Sequence, residues 1–233
     1  MNPELMILVI SAASIGFVHT LVGPDHYLPF IVMARARNWS LLKTSLITMI
    51  CGLGHVGSSV VLGIVGIVLG ISITHLDFME GIRGNLAGWL LVIFGFGYTI
   101  YGIWRAMKNK PHTHLHIHKN GSFHSHEHTH SEEHHHTHNK NITPWILFVI
   151  FILGPCEPLI PLIFAAHEKN NMGGAIMVSV IFSIITIITM VTIVIISFYG
   201  IKFIPLGKLE KYSHAMAGAI ILISGIGIQF WNW

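Results

Sequence analysis

The chain has 233 residues, of which 52% are hydrophobic and 10% charged, with a formal net charge of +3 and a mean hydropathy of +0.67. That balance lies outside the range of ordinary soluble domains and reads as an integral membrane protein. It excludes a soluble helical bundle, whose helices need a polar face for water, and with only Cys51 and Cys156 present it also excludes a disulfide scaffold.

Apolar runs cover 5–22 (continuing brokenly to 34), 41–73, 86–104, 144–166, 173–199 and 215–233. Each reaches the roughly 20 residues that a spanning helix needs, which predicts six membrane spans. No basic segment precedes the first run and no small-residue cleavage site follows it, so it is read as a span and not as a removable signal. Pro24 and Pro29 interrupt that first run by removing backbone donors and disfavouring helix at the residues before them. The second run holds His55 among Gly52, Gly54, Gly57, Ser58 and Ser59. Its glycine spacing fits a dinucleotide-binding fingerprint, but that pattern needs a preceding strand and a soluble unit, so close helix packing explains it better. Pro155, Pro158 and Pro161 interrupt the fourth run. Carbonyls freed at such breaks are tolerated at membrane depth only where protein buries them or a wet cavity receives them.

The two halves repeat. Gly23-Pro24-Asp25-His26 aligns with Gly154-Pro155-Cys156-Glu157 at an offset of 131, and Ala87, Gly88, Gly95 and Gly97 align with Ala217, Gly218, Gly225 and Gly227 at an offset of 130. A three-span unit copied once enters the membrane the second time from the opposite side. The expected fold is therefore an all-α membrane protein of six transmembrane helices, arranged as two inverted three-helix repeats with proline-broken helices 1 and 4. Its expected parts are a first repeat at 1–106, a histidine-rich and disordered loop at 107–142, and a second repeat at 143–233.

With the N-terminus outside, eleven of the thirteen Lys and Arg residues fall in cytoplasmic loops, leaving Arg83 and Lys169 in outer ones. This bias places both termini outside and the histidine loop in the cytoplasm of a multi-pass protein of the cell membrane. The net charge then describes topology and gives no footing for nucleic acid as a partner.

Ionisable residues at membrane depth are costly and mark function by default. His19, Asp25 and His26 flank the first break, Cys156 and Glu157 follow the second, and His55 adds an imidazole from the second span, where the other repeat carries Thr186. Imidazole, carboxylate and thiolate together suit Ni, Co, Zn or Cu and match Mg or Ca poorly. These six residues are the expected metal site, with an incomplete shell so that the ion can leave. The loop holds twelve of the eighteen histidines: His112, His114, His116, His118, His124, His126, His128, His130, His134, His135, His136 and His138. At that density neutral imidazoles capture metal reversibly. The expected partners are the metal ion and membrane lipid, with self-association into a homo-oligomer left open. No tightly bound cofactor and no enzymatic activity are expected.

The run from His19 through Gly23-Pro24-Asp25-His26, the Gly54-His55 element, the histidine loop and Gly154-Pro155-Cys156-Glu157-Pro158 together resemble the NicO-type nickel/cobalt permeases and the related urease-accessory membrane proteins. The resemblance extends over nearly the whole chain and implies transport of a divalent metal, Ni or Co, with His19, Asp25, His26 and His55 as path residues. In the wider nickel/cobalt transporters four residues separate the histidine from Asp-His, whereas five separate His19 from Asp25 here. A loop that gathers ions ahead of the crossing favours efflux. The Gly-Pro-Cys-Glu-Pro stretch is also similar to membrane thiol-disulfide electron carriers, which would use Cys51 and Cys156 as a dithiol. A third reading, a sulfur-anion or small-metabolite exporter, would place the anion at the half-helix ends near Gly23 and Gly154.

Overall fold

The computed structural model describes residues 3–108, 112–117, 123–128, 142–202 and 207–231. Its body is helical: α1 (Pro3–Val22), α2 (Leu28–Ala36), α3 (Leu41–Val68), α4 (Ile73–Lys108), α5 (Ile142–Leu153), α6 (Leu159–Lys202) and α7 (Ser213–Trp231). Among the described residues five helices are long and apolar enough to cross a membrane: α1, α3, α4, α6 and α7. Large apolar side chains such as Ile7, Leu42, Val61, Ile93, Val149, Ile196 and Ile223 face outward. Such a surface is what lipid contact selects, since lipid tails reward no polar rim.

The breaks fall where the prolines require them. α1 makes its last helical bond from Gly23 N–H to the His19 carbonyl, after which Pro24 has no N–H to continue the ladder. A 3-10 turn over Pro24–His26 leads into α2, and the Tyr27 hydroxyl donates to the freed Leu21 carbonyl at 3.3 Å. α2 is only nine residues long, and its residues from Pro29 to Ala34 are all buried. A short helix that is apolar on every side can exist only inside a core, and here the core contains Phe30, Met33, Phe151, Met190 and Ile221.

α3 starts on Ser40, whose hydroxyl accepts the Lys43 N–H. It ends on Gly70 at φ +66, with Gly70 N–H bonded to Ile67 O and Ile71 N–H to Gly66 O. That bond pair is a Schellman cap, which turns the chain directly into α4.

The 44 residues of α6 would extend about 66 Å as one straight helix, twice the thickness of the membrane core. The helix is interrupted at Asn170 and at Asn171, where φ is 61 and ψ is −170. The interval expected as a span at 144–166 thus falls on α5 together with the first arm of α6, and 173–199 falls on the second arm.

α4 lies along α7, while α1 and α3 pack on α6. The α4–α7 seam is made of bare backbone. A Cβ on Gly95 would sit 2.4 Å from Leu222 N, on Gly102 2.1 Å from Ala215 N, on Gly218 2.3 Å from Thr99 N and on Gly225 2.8 Å from Val92 N. Small residues let helices approach this closely where no hydrophobic force drives them together. Gly97, one of the repeated glycines, faces open space and takes no part.

Within the histidine-rich loop, expected to lack fixed structure, the described residues form two antiparallel strands, β1 (His112–Ile117) and β2 (Phe123–His128). Their register sets His112 opposite His128, His114 opposite His126 and His116 opposite His124. The alternation of histidine with a spacer matches the two-residue period of a strand. His118, His130, His134, His135, His136 and His138 lie outside the described residues.

Candidate metal centre

Three imidazoles converge where the break between α1 and α2 meets the middle of α3. The ligand atoms of His19, His26 and His55 all lie within 4.8 Å of one another. The rings of His19 and His26 meet edge to face at 4.8 Å, and those of His26 and His55 at 5.1 Å. His26 and His55 are buried and His19 is partly so.

Backbone carbonyls set the tautomers. His26 Nδ1 lies 3.1 Å from Gly23 O, and His55 Nδ1 lies 3.3 Å from Phe151 O. A carbonyl can only accept, so in each ring the proton belongs on Nδ1 and the lone pair on Nε2. The Nε2 atoms of His19, His26 and His55 are all buried without a hydrogen-bond partner. Buried polar atoms left unpaired are rare and call for an explanation. Orienting a ligand ring through its other nitrogen is how protein sites prepare an imidazole for a metal.

Asp25 belongs to the same cluster. Its Oδ1 stands 3.3 Å from His26 Nδ1, and its side chain is 26% exposed. Since His26 Nδ1 already faces Gly23 O, the carboxylate does not gain a full hydrogen bond there, and Oδ1 is otherwise without a partner. It supplies negative charge beside the three imidazoles.

The glycines of the two breaks form the walls. A Cβ on Gly23 would lie 2.5 Å from His26 Nδ1 and 2.9 Å from Asp25 Oδ1. A Cβ on Gly154 would lie 3.1 Å from His55 Nδ1. Each break therefore sets its opening glycine against one histidine, Gly23 against His26 and Gly154 against His55 of α3, and the second break reaches the site through His55.

Cys156 and Glu157 stand elsewhere. Glu157 is exposed. The Cys156 side chain is buried in an apolar cluster with Ala12, Val56, Leu159 and Phe182, while Cys51 belongs to the separate core around α2. Both thiols are free. What engages Cys156 is its backbone N–H, which lies 3.0 Å from Glu80 Oε2 and 3.2 Å from Ser59 Oγ. Thr186, the counterpart of His55, is buried with an unpaired hydroxyl and packs against Gly16 of α1.

Glu80 and Arg83 were not foreseen. Glu80 is 2% exposed and pairs with Arg83. It accepts from Ser59 Oγ at 3.0 Å. Arg83 also donates to Ser58 Oγ at 2.6 Å, to Ile152 O at 2.9 Å and to Gly154 O at 3.4 Å. The pair thus satisfies two carbonyls freed by the second break and one amide that the break would otherwise leave bare. A carboxylate and a guanidinium at this depth are tolerated only with such partners. The first break carries open ligands, whereas the second is stapled shut.

No protein family, curated protein or solved structure matches the chain.

Proposed function

We propose that this protein is a permease for a divalent transition-metal ion, Ni or Co first and Zn or Cu next, carried through a site built on His19, His26 and His55 with Asp25 beside it. The observation that carries the reading is a cluster of three histidines that offer ligand nitrogens within 4.8 Å of one another and whose Nε2 atoms are all buried and unpartnered. A metal–nitrogen bond of about 2.1 Å lets one ion bridge ligands up to about 4.2 Å apart, so a small inward rotation of the rings closes the shell. Three imidazoles leave further coordination positions to water, which suits an ion that must be released.

The packing supports a six-span, inverted-repeat architecture. If α6 is divided at Asn170 and Asn171, each half of the chain contains a broken helix followed by two continuous ones. The third helices, α4 and α7, pair with each other, and α1 meets α6 while α3 meets α5 and α6. Such reciprocal contacts are what a pseudo-two-fold axis in the membrane plane produces, with the site at the breaks near the midplane. Transport then proceeds by alternating exposure of the imidazole cluster to the two sides. The histidine-rich loop collects ions on the cytoplasmic side, and export is the direction in which such collection precedes the crossing.

Proteoliposomes loaded with a metal-sensitive dye give the direct test. Wild-type protein should move Ni or Co faster than empty vesicles, His26→Ala should abolish the flux, and deletion of 112–138 should slow it without abolishing it. Full transport by His26→Ala would remove the proposed site.

A further inference from the structure

A cavity of about 1220 Å³ opens at the end of the bundle where α4 finishes, lined by the α2–α3 junction, the last turns of α4 and α6 and the start of α7. Among the described residues its charges are strongly one-sided: Arg35, Arg37, Lys43, Arg105 and Lys211 line it against Glu210. A passing divalent cation would be repelled there, so the cavity serves a different ligand. Aromatic rings set the cations in place. Lys43 lies over Trp39 at 5.4 Å and Lys211 over Tyr212 at 4.9 Å. Arg37 Nε donates to Tyr98 OH at 3.2 Å, and that hydroxyl is hydrogen-bonded to His214 Nδ1 at 2.8 Å.

A second observation fixes the chemistry. Directly beside this cavity, and sharing Arg35, Ile201 and Ser213 with it, is an apolar crevice of about 50 Å³ between α2 and α7, completed by Val32, Met216, Ala217 and Ile220. Arg35 stands at the junction and donates to Ile201 O. A basic chamber joined to an apolar slot in a membrane-facing body has the shape of one amphiphile, with its anionic head among the cations and a hydrocarbon tail along α7. Basic pockets between transmembrane helices hold anionic lipid headgroups in this way, and tryptophan and tyrosine mark the depth at which headgroups lie.

We infer that this chamber and crevice form a binding site for an anionic phospholipid, with its phosphate held by Lys43, Arg105 and Lys211 and the first methylenes of one acyl chain seated in the crevice lined by Val32, Met216 and Ile220, the rest of the chain running along the outside of α7. The site is independent of the metal cluster, so either can fail without the other.

The full chain, purified in neutral detergent, tests this by native mass spectrometry with added phosphatidylglycerol, phosphatidylcholine of the same acyl chains, or sodium pyrophosphate. Phosphatidylglycerol should be retained and phosphatidylcholine lost, with affinity falling as salt rises. Lys43→Gln/Arg105→Gln/Lys211→Gln should weaken phosphatidylglycerol by about fivefold per cation removed, roughly 100-fold in all. Lys169→Gln, whose side chain pairs with Glu4 on α1 and does not line the chamber, should leave it unchanged. Met216→Trp, which fills the crevice, should weaken the lipid alone. Equal retention of phosphatidylcholine, unaltered affinity in the triple variant with its unfolding temperature intact, or binding of pyrophosphate as tight as the lipid's would each overturn the proposal.

Discussion

Replacing Arg83 with methionine should be among the most damaging single changes available in this protein, although Arg83 lies outside the imidazole cluster. Glu80 is 2% exposed, so losing its guanidinium partner leaves a buried carboxylate without a counter-charge, at roughly 3–5 kcal/mol. For a chain of this size each kcal/mol lowers the unfolding temperature by roughly 2–4 °C, which predicts a fall of roughly 6–20 °C. The carbonyls of Ile152 and Gly154 lose their donor as well. Because Gly154 backs His55, Ni affinity should fall by about 10–100-fold, the range seen when support to a metal-ligating ring is lost. Glu80→Gln/Arg83→Met removes both charges and should recover at least ~2 kcal/mol of the single-variant loss. Thermal unfolding in detergent of the wild type, both single variants and the double completes the cycle. If Arg83→Met lies within about 1 kcal/mol of wild type, or the two single effects simply add in the double, the staple has no energetic role.

Four further outcomes follow from the geometry. Gly23→Ala forces a methyl to within 2.5 Å of His26 Nδ1 and should reduce metal binding more than it reduces stability; equal Ni titration curves would refute the close fit. Gly95→Ala drives a methyl to 2.4 Å from Leu222 N, and parting α4 from α7 should lower stability by about 1–3 kcal/mol, measured by unfolding in detergent. Asn171 holds a backbone conformation, φ 61 and ψ −170, that is essentially glycine's own, so Asn171→Gly should raise the unfolding temperature by relieving strain of about 1–3 kcal/mol. Finally, both cysteines are buried, so a bulky thiol reagent should label neither in the native protein and both after denaturation. Rapid native labelling of Cys156 would show that the elbow opens far more readily than its bonding pattern implies.

Much of the site was legible in the chain because prolines and membrane-depth histidines are conspicuous. Pro24 marked the first break, and His19, His26 and His55 were named from their burial cost alone. The matched motif after Pro155 misled in one respect. It drew attention to the Cys156 thiol and the Glu157 carboxylate, whereas the contact that matters at that point is a backbone amide, which a sequence does not advertise. Glu80 and Arg83 escaped because hydropathy places the third span at 86–104 and leaves them in a loop. α4 begins at Ile73, however, and an acid and a base three apart on one helix face can pair. An acid–base pair at that spacing, just ahead of the Gly84 and Gly88 packing positions, was the available signal. The interruption of α6 was legible without a proline: the apolar runs stop at 166 and resume at 173, and the helix breaks between them at Asn170 and Asn171.

The glycine-lined contact of α4 with α7 bears on how the molecule can move. Two backbones in direct touch over several turns have no long side chains between them to slide or re-pack, so prising them apart would open a continuous void that nothing nearby can fill. The opposite interface is of another kind: α1 and α3 meet α6 through Phe182, Ile163 and Met190 set against Gly16, Gly63 and Gly52, knobs that can change rotamer. Rearrangement therefore concentrates in the broken helices and their neighbours, with the α4–α7 pair serving as the stationary frame against which they swing.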